Sequence, residues 1–230
     1  MKNIITALFV SAFILFVGCG KKSTQDGTSQ KEDKKEETKQ LEQTKKSIED
    51  SLKQLQAEQN EKDAKIKMAL DEQKILDDTS GQWAIEADAS STYAGENKDP
   101  KAQWSPNQMT GKPDVEHYAD DGRAWTEQEA DKGIEWVKLT FPKAVNATEI
   151  RVRQNYNPGA IIKVDLIDDA GKSHTVWEGN DKTKYSPNEI QWFIAKFDKT
   201  TYKTKIVKIT LACNAVNGWN EIDAVQLIGE

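Results

Sequence analysis

Cysteine and histidine are both scarce in this 230-residue sequence, which contains only Cys19, Cys213, His117 and His174. Two cysteines permit at most one disulfide bond, so the fold has to depend on its own hydrophobic core. The sequence also has no HExxH, GxSxG, P-loop or cysteine–histidine metal spacing, which are common signatures of catalysis. We therefore expect a protein that is not an enzyme, although a glycosidase that uses only carboxylates would lack these motifs too.

Aromatic residues, glycine and proline are missing from long parts of the chain. No aromatic residue occurs at 17–82, and neither glycine nor proline occurs at 28–80. All seven Trp, all five Tyr and all six Pro lie beyond residue 82, so the core-forming residues are confined to 82–230. An excess of basic charge is also lacking, because the net charge is −6. No nucleic-acid partner is expected, since it would require a basic face to neutralise phosphates.

The N-terminal segment has an apolar run at residues 4–17 that ends at a small residue, Gly18, directly before Cys19. The run is too short for an ordinary spanning helix. The FVGC boundary resembles the bacterial lipobox, with Phe16 where leucine is commonest. This resemblance implies that residues 1–18 are a lipoprotein signal peptide and that Cys19 is lipidated. An ordinary secretory signal and an uncleaved anchor are the open alternatives.

Lipidation of Cys19 would make the bilayer a partner of the mature protein, because several acyl chains suffice for stable anchoring. The protein would then lie in the cell membrane or the outer membrane and face the periplasm or the exterior. Gly20, which follows the cysteine where some sorting rules place Asp, favours the outer membrane if the host is Gram-negative. The sequence does not identify the host.

A tether and a stalk are predicted next along the chain. Residues 19–31 are small, polar and charged, as in flexible linkers. Residues 32–78 are rich in Lys, Glu, Gln, Leu and Ala, which favour a helix. Seven of eleven heptad positions are apolar, which indicates a coiled coil and hence a homo-oligomer, with a single charged helix or a disordered linker left open. The a and d positions are Leu41, Lys45, Ile48, Leu52, Leu55, Gln59, Lys62, Ile66, Ala69, Gln73 and Leu76.

Beyond residue 82 the hydrophobic period changes from helical to twofold. In EWVKLTF, for example, Val137, Leu139 and Phe141 alternate with polar residues, as in a strand with one buried face. Turn signals such as NYNPG and DDAG separate the strands. About eight antiparallel strands without intervening helices predict an all-β sandwich or jelly roll. The predicted strands lie at 82–90, 135–141, 148–156, 161–167, 173–178, 191–197, 205–213 and 222–228.

Three stretches of the C-terminal region carry a resemblance: WSPNQMTGKPDV, RQNYNPGAIIKVDLID and GWNEIDAVQLIG. They resemble the discoidin-like domain, also called the coagulation-factor type C or galactose-binding-like domain, over residues 82–230. The resemblance implies an eight-stranded jelly roll with a non-catalytic binding role, often for carbohydrate and sometimes for lipid or protein. It also implies a structural Ca²⁺ in many members. The carboxylate that common members place five residues before the final glycine is replaced here by Ala224, with Asp223 beside it.

Strand alternation predicts where a binding site would lie. If each strand runs opposite to the one before, segments 91–135, 155–159, 179–190 and 213–221 emerge at the end opposite the stalk. Loops on a rigid scaffold commonly carry binding residues. A structural role is open for each candidate: the tryptophans could pack in the core, and the acidic residues could either bind Ca²⁺ or be solvated. The candidate ligand-binding residues are Asp114, His117, Asp120, Arg123, Trp125, Asn155, Tyr156, Asn157, Asn217, Trp219 and Asn220.

Two functions follow as hypotheses. The first is a membrane-anchored lipoprotein that displays a non-catalytic carbohydrate-binding module on a helical spacer. The alternative is a structural or adaptor protein of the cell envelope whose sandwich binds an envelope or surface protein. The first requires an exposed aromatic side chain beside polar groups in the loops, and the second requires a broad, flat apolar patch.

Overall fold

The computed structural model describes residues 29–95, 99 and 101–230, with side chains from residue 35 onward. The predicted signal peptide, Cys19 and most of the predicted tether lie outside the described residues. The chain divides into two compact units, and the division falls between Met68 and Ala69. Among the described residues, no helix is both long enough and apolar enough to cross a membrane.

The first element is one long helix, α1 (Ser29–Leu76), with 48 residues. Its sequence lacks glycine, proline and aromatic residues, which favours a continuous helix. The helix ends where the Asp78 carboxylate accepts hydrogen bonds from the backbone N–H and the hydroxyl of Ser80. The predicted helix is confirmed, whereas the coiled coil stays a prediction. Five apolar heptad positions are 49–61% exposed in the single chain: Leu41, Ile48, Leu52, Leu55 and Ile66.

The C-terminal unit is a sandwich of two antiparallel sheets, as the alternation predicts. The four-stranded sheet has the order β1-β9-β4-β7, and the five-stranded sheet has the order β2-β3-β8-β5-β6. The strands are β1 (Gly81–Trp83), β2 (Glu86–Ala89), β3 (Ile134–Val145), β4 (Ala147–Tyr156), β5 (Ile161–Asp168), β6 (Ser173–Glu178), β7 (Gln191–Lys196), β8 (Thr204–Ala212) and β9 (Glu221–Gly229).

The nine strands exceed the predicted eight because the first predicted strand, 82–90, divides in two. Its first part is β1, which pairs with β9 in one sheet, and its second part is β2, which pairs with β3 in the other sheet. The chain crosses between the sheets at Ala84 and Ile85. Ala84 is buried at this crossing, whereas Ile85 is exposed. A twofold hydrophobic pattern does not reveal such a crossing, because it does not identify the partner strand.

The core lies between the two sheets. One cluster of buried apolar residues includes Val152 of the four-stranded sheet and Val137 of the five-stranded sheet. Within its own sheet, Val152 of β4 is flanked by Val225 of β9 and Phe193 of β7. Cys213 follows β8 and is fully buried, as is usual for a cysteine that packs as a small apolar residue. The largest fully buried side chains are Trp125, Phe141, Met109, Leu139, Ile150, Ile161, Leu166, Ile209, Leu211, Ile222, Leu227 and Gln226.

Two arginines of β4 correct the expectation that its alternate residues face solvent. Arg153 is only 6% exposed, and it pairs with Asp223 of β9 and, at 2.8 Å, with Glu72 of α1. Arg151 pairs with Asp78 at 2.9 Å. The last turns of α1 belong to the same compact unit as the sandwich, which begins at Ala69. The alternation predicts that this face of β4 is solvated. These carboxylates instead cover it and form ion pairs with its two arginines.

The strand pairing places the long loops at one end of the sandwich, which we call the loop end. There the first residue of β3, Ile134, is paired with the last residue of β8, Ala212, and the last residue of β4, Tyr156, is paired with the first residue of β9, Glu221. Segments 91–133, 157–160, 179–190 and 213–220 therefore emerge together. The opposite end carries Asn146, the turns at 169–172 and 197–203, the start of β1 and the C-terminal Glu230.

Candidate functional site

A small aromatic pocket opens at the loop end. Its cavity measures about 140 Å³ and is lined by Tyr93, Trp104, Asp120, Thr126 and Trp219. The ring centroid of Tyr93 lies 5.2 Å from that of Trp104, with 71° between the ring planes, and 5.9 Å from that of Trp219, with an angle of 87°. The rings therefore form the walls of a recess and do not stack on one another.

Backbone hydrogen bonds between remote segments hold these walls. Tyr93 follows β2, and its N–H donates to the carbonyl of Thr126 at 3.1 Å. Trp104 has a positive φ of 56°, and its N–H donates to the carbonyl of Gly122 at 2.9 Å. The indole N–H of Trp104 donates to Asp120 Oδ1 at 3.1 Å and so fixes the carboxylate at the edge of the pocket.

The third wall, Trp219, comes from the loop between β8 and β9. Its carbonyl accepts a hydrogen bond from Asn157 Nδ2 at 3.0 Å, which connects this loop to the turn after β4. Gly218 precedes it with φ of 88°, and its N–H donates to Asp131 Oδ1 at 2.9 Å. The indole is 36% exposed, so its ring is accessible from solvent.

A buried polar network, which consists of Glu127, Asn155, Asn220 and Glu221, holds the same loops together. Asn155 Nδ2 donates to Glu221 and, at 3.1 Å, to the carbonyl of Ala119. The N–H of Asn220 donates to the Glu127 carboxyl at 3.2 Å. Three oxygens in this network have no hydrogen-bond partner within the described protein: Asn155 Oδ1, Asn220 Oδ1 and Glu221 Oε1.

The protonation of this network follows from its burial. Burial, together with the adjacent Asp120 carboxyl, raises the pKa of Glu221 to about 8, although the Asp121 N–H and Asn155 donate hydrogen bonds to it. Burial also raises the pKa of Glu127 above its ordinary value. Glu221 therefore carries a proton at neutral pH, and the carboxyl group next to it at the edge of the pocket is that of Asp120.

Two of the predicted site residues, Asp120 and Trp219, line the pocket, but three others are corrected by the structure. Trp125 is fully buried and its indole N–H donates to the carbonyl of Ser91 at 3.0 Å, so it offers no face to a ligand. Asn155 and Asn220 are at most 2% exposed and hold loops together. These three side chains are structural because the loop end is packed, which the sequence pattern does not reveal.

The turn after β4 is also occupied by internal contacts. Asn157, which has a positive φ of 42°, accepts a hydrogen bond from the Tyr118 hydroxyl at 3.1 Å. Tyr156 packs against Tyr118 with a centroid distance of 5.2 Å. This turn is near Trp219 through Asn157 but does not line the pocket.

The remaining predicted residues lie outside the pocket. Arg123 donates to Asp121 at 2.7 and 3.0 Å and to the carbonyl of Asp114 at 2.6 Å. Its guanidinium therefore braces its own loop. Asp114, His117 and Asn217 are exposed and do not line the pocket.

Two pocket residues, Tyr93 and Trp104, were not among the predicted ligand-binding residues. Both lie within the predicted loop 91–135, and Trp104 begins one of the three stretches that carry the resemblance. The sequence signal for Tyr93 is its place in a short polar stretch that is not part of a strand. In the structure Tyr93 is 51% exposed. The presence of tryptophans in the predicted loops does not show which of their side chains are accessible to solvent.

The expected Ca²⁺ site does not fit the residues present. The position at which common members of the resembling family have a carboxylate is Ala224, which is fully buried and offers no side-chain oxygen. In the part of the chain that the structure describes, no three His, Cys, Asp or Glu side chains form a group that could hold a metal ion. No step in the function is derived through a metal.

A wider depression lies beside the loop after β6. It is bordered by residues 177–183 together with Phe193 and Ile194. Its two aromatic rings, Trp177 and Phe193, pack edge to face with a centroid distance of 4.8 Å and an angle of 78°. Phe193 is only 3% exposed, so this depression offers a ligand little of that ring.

Comparison with known families gives one sequence match. The family model for pappalysin-1, SD scarf domain, C-terminal, matches residues 72–230. None of the curated proteins matches the sequence.

Several solved structures are similar at low identity. Chitosan-binding module 1 from a chitosanase/glucanase of Paenibacillus sp. IK-5 is 12% identical, with a TM-score of 0.43, and the match covers 63% of this chain and 94% of that chain. The family 32 carbohydrate-binding module of NanJ from C. perfringens, in complex with galactose, is 16% identical, with a TM-score of 0.41 and coverage of 64% and 98%. Reduced XRCC1, bound to the DNA polymerase β catalytic domain, is 14% identical, with a TM-score of 0.45 and coverage of 65% and 99%.

Proposed function

Because the chain belongs to the pappalysin-1 SD scarf (C-terminal) family over residues 72–230, we propose a function in which this region is a non-catalytic binding module. The proposed ligand is a carbohydrate, and the proposed site is the aromatic pocket. The single observation that carries this proposal is the recess of Tyr93, Trp104 and Trp219 beside the Asp120 carboxylate. Sugars are recognised by aromatic faces against their C–H groups and by fixed polar groups at their hydroxyls.

The geometry of the carboxyls argues against hydrolysis of the ligand. Glycosidases hold their two carboxyl groups about 5–9.5 Å apart on either side of the scissile bond. Here Glu221 is 1% exposed, so its carboxyl is not accessible from the pocket edge at which Asp120 lies. A glycosidic bond therefore does not fit between them, and we expect bound sugars to be released unchanged.

Replacement of Trp219 by alanine is expected to weaken glycan binding by about tenfold, which corresponds to ~1.4 kcal/mol. The reason is the loss of one wall of the pocket. The measurement is a titration of the full-length chain with the strongest ligand from a glycan array.

Trp136→Ala is the matched control for this experiment. Trp136 lies near the start of β3, does not line the pocket, and has Lys138 and Lys208 over its ring. Its removal is expected to change the dissociation constant by less than about twofold. Equal losses in both variants would place the binding site elsewhere.

We further propose that the protein is held at a membrane by lipidated Cys19. The support is the FVGC boundary after the apolar run at residues 4–17. Cys19→Ser is expected to abolish labelling with a palmitate analogue in cells, because the acceptor thiol is lost. Cys213→Ala is the control, since this buried residue is the only other cysteine and should leave labelling unchanged. Equal labelling of the Cys19→Ser protein and the natural protein would refute lipidation.

The helix α1 serves as the spacer in this proposal. Its apolar heptad positions, such as Leu52 and Leu55, are about 60% exposed in the single chain. Such a seam is suited to pair with a second copy of the helix. The adaptor function, in which the sandwich binds an envelope or surface protein, stays a prediction.

A further inference from the structure

The aromatic pocket is small and has no flat platform. Its cavity of about 140 Å³ is close to the ~150 Å³ of an apolar cavity that accommodates one benzene molecule. The ring planes of Tyr93 meet those of Trp104 and Trp219 at 71° and 87°. A whole sugar ring would stack best on a single exposed face. A recess with three differently oriented rings is suited instead to a compact group that is surrounded on several sides.

The charge of the lining is negative. Among the described residues that line the pocket, Asp120 is the only ionisable one besides Tyr93, and the indole N–H of Trp104 holds its carboxylate in place at 3.1 Å. The nearest arginine in sequence, Arg123, is paired with Asp121 at 2.7 Å and does not line the pocket. Between residues 114 and 132 the sequence has seven carboxyl side chains and two cationic ones. An anion entering the pocket would meet this carboxylate, and among the described residues no cationic side chain lines the pocket beside it.

A second carboxyl group lies behind the first. Glu221 is 1% exposed, and its Oε1 has no hydrogen-bond partner in the described protein. Its carboxyl interacts with that of Asp120. Because Glu221 is protonated at neutral pH, the charge that a cation in the pocket would meet is that of the Asp120 carboxylate.

We propose that the aromatic pocket selects a compact ammonium group, and that the glycan ligand is an amino sugar with a free, protonated amine. Aromatic faces attract cations through the ring quadrupole, and the Asp120 carboxylate supplies the opposite charge. The neutral acetamido form of the same sugar lacks the charge and is bulkier at the group that enters. This inference rests on the proposed function and names its ligand class.

The test compares three probes on the full-length chain by isothermal titration calorimetry. The probes are the glucosamine disaccharide, the N-acetylglucosamine disaccharide and choline, which is a cation without a sugar. We expect the glucosamine disaccharide to bind roughly tenfold or more tightly than its acetylated form, as a charge-assisted hydrogen bond would provide.

Asp120→Asn isolates the contribution of the charge. Asparagine keeps an oxygen that accepts from the Trp104 indole, and it removes only the negative charge. It is expected to weaken glucosamine disaccharide binding by roughly tenfold and to leave the acetylated form unchanged. Asp114→Asn is the matched control, because Asp114 is exposed on the same loop and does not line the pocket.

The outcomes separate this inference from the proposed function. If both disaccharides bind equally and Asp120→Asn affects neither, the ammonium inference is overturned and glycan binding stands. If choline binds with dependence on Asp120 and neither disaccharide binds, the pocket is a cation site and the glycan function fails. If none of the three probes binds, the ammonium inference is overturned, and the glycan array with Trp219→Ala decides the proposed function separately.

Discussion

Replacement of Arg153 by methionine is expected to destabilise the sandwich by about 3–5 kcal/mol, the cost of breaking a buried ion pair from one side. Arg153 is 6% exposed and binds three groups: Asp223, the carbonyl of Val115 at 2.6 Å and Glu72 at 2.8 Å. Without the guanidinium, the Asp223 carboxyl would lie 1% exposed with no cation beside it. Burial already raises the pKa of Asp223 even though Arg153 is present.

The measurement is the free energy of unfolding in urea, followed by tryptophan fluorescence, which reports only on residues beyond 82. Lys138→Met is the control, because its pair with Asp88 at 3.2 Å is largely exposed and should be worth about 0–1 kcal/mol. A double replacement, Arg153→Met with Asp223→Leu, is expected to recover part of the loss, because no uncompensated charge stays buried. A loss in Arg153→Met no larger than in Lys138→Met would show that the pair does not stabilise the fold.

Replacement of Glu221 by glutamine is expected to remove much of the pH dependence of stability between about pH 4.5 and 8. In the folded protein the pKa of Glu221 is raised to about 8 from its ordinary value of 4.5. Between these two values the folded state binds more protons than the unfolded state, so stability falls as pH rises. The stabilisation is fully present below about pH 4.5 and is lost as pH rises through 8.

Between pH 6 and 9 the natural protein should lose about 2–3 kcal/mol that the Glu221→Gln variant keeps. Glutamine resembles the protonated carboxyl, and its oxygen can still accept from the Asp121 N–H, which lies 3.1 Å from Glu221 Oε2. Urea unfolding at several pH values measures the difference. Glu129→Gln is the control, since Glu129 is exposed and pairs only with Lys132, and its pH profile should follow that of the natural protein. Parallel profiles for all three proteins would contradict the proton assignment of Glu221.

The sandwich could be predicted from the sequence because burial follows twofold alternation in most strands. Val137, Leu139 and Phe141, which are predicted to face inward, are all fully buried. The pattern fails on β4 and β9, where polar residues such as Arg153, Asp223 and Gln226 are also buried. Their partners come from residues remote in sequence, and a local period does not contain that information.

The candidate site could be predicted only in its location. Chain direction alone is enough to bring the long loops to one end, since antiparallel strands reverse at each turn. It does not decide which loop residues are exposed, and so Trp125 was proposed although it is buried, whereas Tyr93 was not proposed although it lines the pocket. That choice depends on hydrogen bonds between loops, such as the one from the Tyr93 N–H to Thr126.

The buried cysteine gives the protein an intrinsic reporter of local opening. Cys213 is fully buried at the end of β8, and burial raises the pKa of its thiol, so a thiol reagent in solution has almost no thiolate to attack. In the proposed lipidated form the other cysteine is blocked, and Cys213 is then the single reactive sulfur of the chain. Its rate of alkylation is therefore limited by how often the strand end separates from its neighbours. The urea dependence of that rate would distinguish fraying of the loop end from unfolding of the whole sandwich, without any engineered label.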